Sequence, residues 1–153
     1  MDNKNKNNHA DNKETQYSED SERLQLVINV TGVGFWDWHI QTGALTFNQR
    51  WAEIIGYTVE ELHPVQFETW ANNLHPADLK LAQELLEKHW SGELELYEVE
   101  ARMKHKDGHY VWVLASGKVV EWDQGHPMRM IGTHLDITKR KEFEREQINT
   151  SQL

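Results

Sequence analysis

The sequence predicts an α+β domain: one sheet of five antiparallel strands, several short helices inserted between the second and third strands, and a helix at each end. Three observations predict it. Two short apolar runs, "VGFWDWHI" and "ALTFN", flank the turn Gln41-Thr42-Gly43 and read as a strand pair. The stretch that follows, to Trp90, carries repeated helix start and stop signals. After Gly92 the chain alternates or runs apolar around two tight turns, which gives three more strands.

Each element has its own signal. Met1 to Asp20 is rich in Asn, Lys and Asp and nearly free of apolar residues, so it reads as a disordered tail. Leu24, Val27 and Ile28 stand at i, i+3 and i+4 and predict a short amphipathic helix over Ser21–Val30. Asn48 is placed to cap a helix through Trp51, Ile54 and Ile55 that Gly56 ends. Thr58 and Glu61 have the spacing of a capping box, and Pro64 closes that turn. "FETWANNL" is a further short helix, stopped before His75-Pro76. Pro76 opens a longer helix to about Trp90, with Leu79, Ala82, Leu85 and Leu86 on one face.

In "LYEVEARMKH", Tyr97, Val99, Ala101 and Met103 point one way and Glu98, Glu100, Arg102 and Lys104 the other. Asp107-Gly108 predicts a hairpin. "YVWVLASGKVVEW" is apolar on both faces and predicts a strand covered on both sides. After Asp123-Gln124-Gly125 the last strand runs to Leu135, and a charged helix follows Asp136-Ile137-Thr138.

Composition excludes whole classes of function. With 153 residues the chain suits one domain with a single core, and its formal charge of −9 argues against a general nucleic-acid or anionic-membrane binder. It has no cysteine, which removes disulfides, thiol nucleophiles and zinc-thiolate sites together. No apolar stretch approaches the roughly 20 residues that span a bilayer, and the N-terminus lacks the apolar core of a signal peptide. The expected location is therefore cytoplasmic. No nucleophile elbow, zincin motif, P-loop or dinucleotide fingerprint is present, so the chain reads as non-enzymatic.

The stretches "GFWDWHIQTGALTFNQRWAEIIGYTVEEL", "LHPADL", "YEVEARMKHKDGHYVWV", "GHPMRMIG" and "LDITKRK", in this order and spacing, resemble a PAS domain of the PAS-fold-3 type with its C-terminal PAC segment. The resemblance covers about Thr31 to Lys141. It implies the PAS fold and a sensory or interaction module. Such a module holds a small ligand or cofactor between sheet and helices, or holds nothing and serves as a dimerisation scaffold. It passes a conformational change to an output domain, usually a histidine kinase, a diguanylate cyclase or a phosphodiesterase. The expected division is a tail over 1–20, a helix over 21–30, the PAS/PAC domain over 31–138 and the start of a signalling helix or linker over 139–153. The sequence stops in what reads as mid-helix, so it is expected to be a piece of a longer protein that carries the output domain.

Seven tryptophans are many for this length. Trp36 and Trp38 alternate onto one strand face; with Trp51, Trp70, Met103, Trp112 and Met130 they are the candidates for a ligand pocket. The same residues also read as a Trp-rich core, though an indole N–H wants a partner and a dry core leaves it without one. No cofactor is assigned. Haem-binding PAS domains use a His on the long helix, but His75 and His89 stand at its two ends. Light sensors that bond flavin covalently need a cysteine that is absent here. His105 and His109 are four apart with the Asp-Gly turn between them, so they read as exposed hairpin histidines that are not directly opposed. Glu98, Glu100 and Arg102 read as a surface charge ladder. Leu24, Val27 and Ile28 are assigned to a homodimer contact. Asp136, Ile137 and Thr138 are assigned to signal transfer. Thr138 is expected to cap the last helix, with Asp136 as counter-charge to Lys139, Arg140 and Lys141, which crowd the positive end of the helix dipole.

Overall fold

Two short runs of alternating residues begin the sheet. The computed structural model describes residues 4 to 151 and places strands β1 (Gly34–His39) and β2 (Ala44–Phe47) on either side of the predicted turn. Helices α2 (Gln49–Ile54), α3 (Val59–Leu62), α4 (Phe67–Ala71) and α5 (Pro76–Trp90) follow. Strands β3 (Tyr97–Lys104), β4 (Tyr110–Asp123) and β5 (His126–Asp136) complete the sheet, and α6 (Thr138–Ser151) leaves it. The strand order is β2-β1-β5-β4-β3, all neighbours antiparallel.

Local chemistry fixes the helix starts as the sequence implies. Trp51 N–H donates to the Asn48 side chain. Thr58 and Glu61 close a reciprocal capping box. Asp78, in the first turn of α5, accepts two bonds from the Arg102 guanidinium and a third from the Arg102 backbone N–H at 2.7 Å, which ties α5 to β3. Burial raises the Asp78 pKa, but these donors outweigh it and hold the carboxyl below its ordinary value.

The N-terminal segment differs from expectation. A single 28-residue helix, α1 (Lys4–Thr31), takes in the predicted tail from Lys4 onward and the predicted Ser21–Val30 helix; residues 1–3 of the expected tail lie outside the described residues. The stretch from Lys4 to Asp20 contains no Gly or Pro to break a helix, and side-chain pairs such as Gln16–Asp20 and Asp20–Arg23 support it along its surface. The chain divides at Gly32 and Val33 into two units, α1 and the sheet domain. On α1, Leu24 and Val27 are exposed. No helix among the described residues is long and apolar enough to cross a membrane.

Candidate functional site

The site is built from cross-strand rows on the inner face of the sheet. Register aligns Phe47, Trp36, Gly132, Gly117 and Tyr97 in one row across all five strands. The next row is Gly34, His134, Ala115 and Val99. The two central glycines leave a trench that the Trp36 indole fills. A Cβ on Gly132 would lie 2.2 Å from Trp36 Cζ2, and one on Gly117 would lie 2.4 Å from its Cη2. Trp36 Nε1–H donates to the Thr133 carbonyl.

The helices supply the opposite wall. Trp51 on α2 stacks on Phe47, with ring centroids 3.9 Å apart, and on His134 at 5.1 Å. Phe67 on α4 stacks on Trp38 at 4.9 Å and leans on Trp70. Leu45 of β2 and Leu86 of α5 complete the enclosure with Tyr97, Ala115 and His134. The cavity has about 390 Å³ of empty space, part of it open to solvent.

Three polar groups on this lining have no hydrogen-bond partner among the described residues although they are buried: Trp38 Nε1, Trp51 Nε1 and the Tyr97 hydroxyl. Burial pushes the Tyr97 phenol well above its ordinary pKa, so it stays a neutral O–H donor. An unpaired buried donor costs about 1–3 kcal/mol, so three around one cavity need a reason.

Of the pocket candidates read from the sequence, Trp36, Trp38, Trp51 and Trp70 line the cavity. Met103, Met130 and Trp112 do not. Met103 and Met130 are fully buried core residues outside the lining. Met103 pairs with Val111 near the hairpin, and Met130 lies between Trp38 and Val119. Trp112 is on the other face of the sheet. It is opposite Arg102 in the β3–β4 register, with the Arg102 guanidinium 5.3 Å and the Lys141 ammonium 4.7 Å from its ring. The apolar character of β4 on both faces concealed this; only the partner strand, whose outer face is Glu98, Glu100 and Arg102, resolves it.

Six lining residues are not among the sequence candidates: Leu45, Phe67, Leu86 and Ala115, which are apolar, and Tyr97 and His134, which carry polar groups. Tyr97 was placed on the correct strand face but not singled out. His134 shares its face with Met130 by simple alternation, which was the available signal. Its burial holds the imidazole neutral, with the pKa pushed down to about 3. The folded value lies below the ordinary 6.5, so on acidification the unfolded chain takes up a proton that the native one refuses. This contribution to stability is complete above about pH 6.5 and is lost progressively as pH falls toward about 3. The free energy of unfolding measured from about pH 7 to about pH 5 is expected to fall, with His134 contributing a slope of at most about 1.4 kcal/mol per pH unit, and His134→Leu is expected to flatten that slope. Equal slopes in the two proteins would show that His134 is not the group responsible.

His89 is structural. Its Nε2 accepts from Val119 N–H at 3.0 Å, and its Nδ1 lies 2.9 Å from the Leu94 carbonyl, to which it donates. Both ring nitrogens are therefore engaged. His75 accepts from Ala77 N–H at the start of α5.

The junction with α6 also departs from the sequence expectation. Asp136 does not pair with the basic cluster; its carboxylate accepts from Thr138 N–H at 3.0 Å. The Thr138 hydroxyl caps no helical amide and instead accepts from Trp112 N–H at 3.1 Å. Ile137 is buried, and its N–H donates to the Trp112 carbonyl. The counter-charge is Glu100, which pairs with both Arg140 and Lys141, while Glu144 supports the same two cations one turn on. Hydrogen bonding from Lys141 holds the Glu100 carboxyl below its ordinary pKa. Glu100 is distant in sequence, so proximity along the chain pointed to Asp136 instead.

Comparison with known proteins agrees with this architecture. The family model of the PAS fold matches residues 44–134. A probable diguanylate cyclase of Escherichia coli strain K12 is 33% identical over 107 residues, 69% of this chain and 9% of that protein. A blue-light-activated histidine kinase of Brucella anthropi is 28% identical over 125 residues, 81% of this chain and 24% of that protein. The chain thus spans less than a quarter of the length of these two relatives. Among solved structures, a sensory box histidine kinase/response regulator from Burkholderia thailandensis superposes with a TM-score of 0.75 at 29% identity, covering 85% of this chain and 95% of that one. The N-terminal domain of a diguanylate cyclase with PAS/PAC sensor from Marinobacter aquaeolei gives 0.62 at 26% identity, covering 71% and 98%. With its five-stranded sheet, helical insert and matching family model, this chain belongs to the PAS-fold family of sensor domains found in histidine kinases and diguanylate cyclases.

Proposed function

We propose that this domain senses a small neutral molecule in its core cavity and passes occupancy through β4 to α6. The observation that carries the reading is the set of unpaired donors, Trp38 Nε1, Trp51 Nε1 and the Tyr97 hydroxyl, on an otherwise apolar aromatic lining. A ligand that satisfies them has a flat apolar body and two or three hydrogen-bond acceptors. It is uncharged, because no Lys, Arg, Asp or Glu lines the cavity and an unpaired charge there would be strongly penalised.

The relay is short. Ala115 lines the cavity, and Trp112, three residues earlier on β4, holds both Ile137 and Thr138 through its backbone. Three strand residues span roughly 10 Å. A displacement of β4 by the ligand therefore acts directly on the first turn of α6, whose charges are held by Glu100 from β3. In the full protein the recipient is a diguanylate cyclase or histidine kinase domain, as in the relatives, and the sensor itself turns over no substrate. We place this protein in the cytoplasm. The exposed apolar side chains of Leu24 and Val27 on α1, with Ile28 beside them, support a homodimer through this helix; truncation through Thr31 is expected to give a monomer by native mass spectrometry.

Glu100→Gln tests the junction. Hydrogen exchange is expected to accelerate in Lys139–Gln147 and to stay unchanged in Val111–Val119, because two surface ion pairs are weakened and no core contact is lost. Faster exchange throughout the sheet would make Glu100 a determinant of the fold instead. The ligand is tested by native mass spectrometry of the purified chain: a non-covalent adduct, released on denaturation, is expected, and Tyr97→Phe is expected to reduce its occupancy.

A further inference from the structure

The tip of the β3–β4 hairpin holds a second constellation, remote from the cavity. His105 follows β3 directly and His109 precedes β4. His105 N–H donates to the His109 carbonyl at 2.7 Å, so the two residues are directly opposed, contrary to the sequence expectation. Their rings stack with centroids 4.4 Å apart at 20°. Between them, Asp107 turns its carboxylate back toward His105, with Oδ2 3.5 Å from Nδ1. One ligand atom from each of His105, Asp107 and His109 lies within 4.8 Å of the other two.

One of these separations already suits a metal site. Two ligand atoms held tetrahedrally at about 2.1 Å from one ion are roughly 3.4 Å apart. His105 Nδ1 and Asp107 Oδ2 are at that separation already. The His109 ring stacks nearly parallel on that of His105, so its nitrogen lone pairs lie in a separate plane; because the side chain is exposed, it can rotate out of the stack to turn a ring nitrogen toward the same ion. The backbone is firmly placed for this: Gly108 N–H donates to the His105 carbonyl, and Lys106 N–H donates to the Ile55 carbonyl beyond α2. The His105 ring is braced against Gly56, where a Cβ would lie 2.4 Å from its Cε1.

We propose that His105, Asp107 and His109 form a site for one borderline divalent transition-metal ion, of the zinc, nickel or copper class. Two imidazoles and one carboxylate suit those ions and not magnesium, which prefers an oxygen shell. Three protein ligands leave a fourth position for water. On binding, Nδ1 of His105 exchanges the hydrogen bond it accepts from Asp107 N–H, at 3.1 Å, for the metal bond.

The test is equilibrium dialysis of the full chain, stripped of metal, against Zn²⁺ and against Mg²⁺, with bound metal counted by elemental analysis. One zinc per chain with micromolar affinity is expected, with no comparable uptake of magnesium. His109→Ala and Asp107→Asn, both exposed side chains, are expected to weaken zinc binding at least tenfold while leaving the far-ultraviolet circular dichroism unchanged. His126→Ala, at the first residue of β5, is expected to leave it unaltered. Absence of binding tighter than millimolar, or micromolar binding that survives His109→Ala, would overturn the assignment.

Discussion

Trp51→Ala is expected to lower the free energy of unfolding by about 3–5 kcal/mol, the range for removing a buried tryptophan. The residue is 1% exposed and stands between Phe47 and His134, stacked on both. It also joins α2 to the sheet, since its amide donates to Asn48 and Asn48 in turn accepts from Phe35 N–H of β1. Truncation removes the stack but leaves that cap, so the helix has no means of collapsing fully into the space. Urea titration followed by circular dichroism measures the loss. A change below about 1 kcal/mol would mean that the cavity wall re-forms without Trp51.

Gly132→Ala is expected to be comparably damaging, about 3 kcal/mol or more, at the upper end for overpacking. The added Cβ would lie 2.0 Å from the Ser116 carbonyl oxygen and 2.2 Å from Trp36. The first of these is backbone in the neighbouring strand, so the β4–β5 ladder itself must shift. Gly117→Ala differs in degree, because the two atoms nearest its added Cβ belong to the Trp36 side chain and the backbone contact, to the Ile131 carbonyl oxygen at 2.9 Å, is far less severe. Shortening that side chain with Trp36→Leu is therefore expected to recover part of the stability lost in Gly117→Ala and little of that lost in Gly132→Ala. Two double-mutant cycles, read by denaturation midpoint, decide this. Equal rescue of both glycine variants would contradict the register-built trench.

What the sequence disclosed divides by range of interaction. Asn48, the Thr58–Glu61 box, the Asp107-Gly108 hairpin and the Pro76 helix start depend on neighbours within a few residues, and the structure has each of them as expected. Trp36, Trp38, Trp51 and Trp70 were legible as pocket candidates because their spacing and apolar surroundings placed them on inward faces. Trp112 was not, since a strand apolar on both faces gives no phase and the phase comes from β3. The partner of Arg140 and Lys141 was misassigned for a similar reason: Glu100 is some 40 residues away in sequence and meets them only when β3 joins β4. The polar stretch from Lys4 to Asp20 has no apolar face to announce a helix, yet it also has nothing to break one.

The central claim is that the cavity beneath Trp51 is a ligand site and not merely a gap in the core. Its most direct test is a native mass spectrum of the intact chain, equilibrated with a small-molecule extract of the cells that produced it, beside the same spectrum of Ala115→Leu. Ala115 faces the cavity from β4, and a leucine there fills space without adding a polar group. The account predicts an adduct of one small neutral molecule on the unaltered chain, lost on denaturation and absent from Ala115→Leu although that variant remains folded. Bare chain mass in both proteins, or an adduct equally abundant in both, would contradict it.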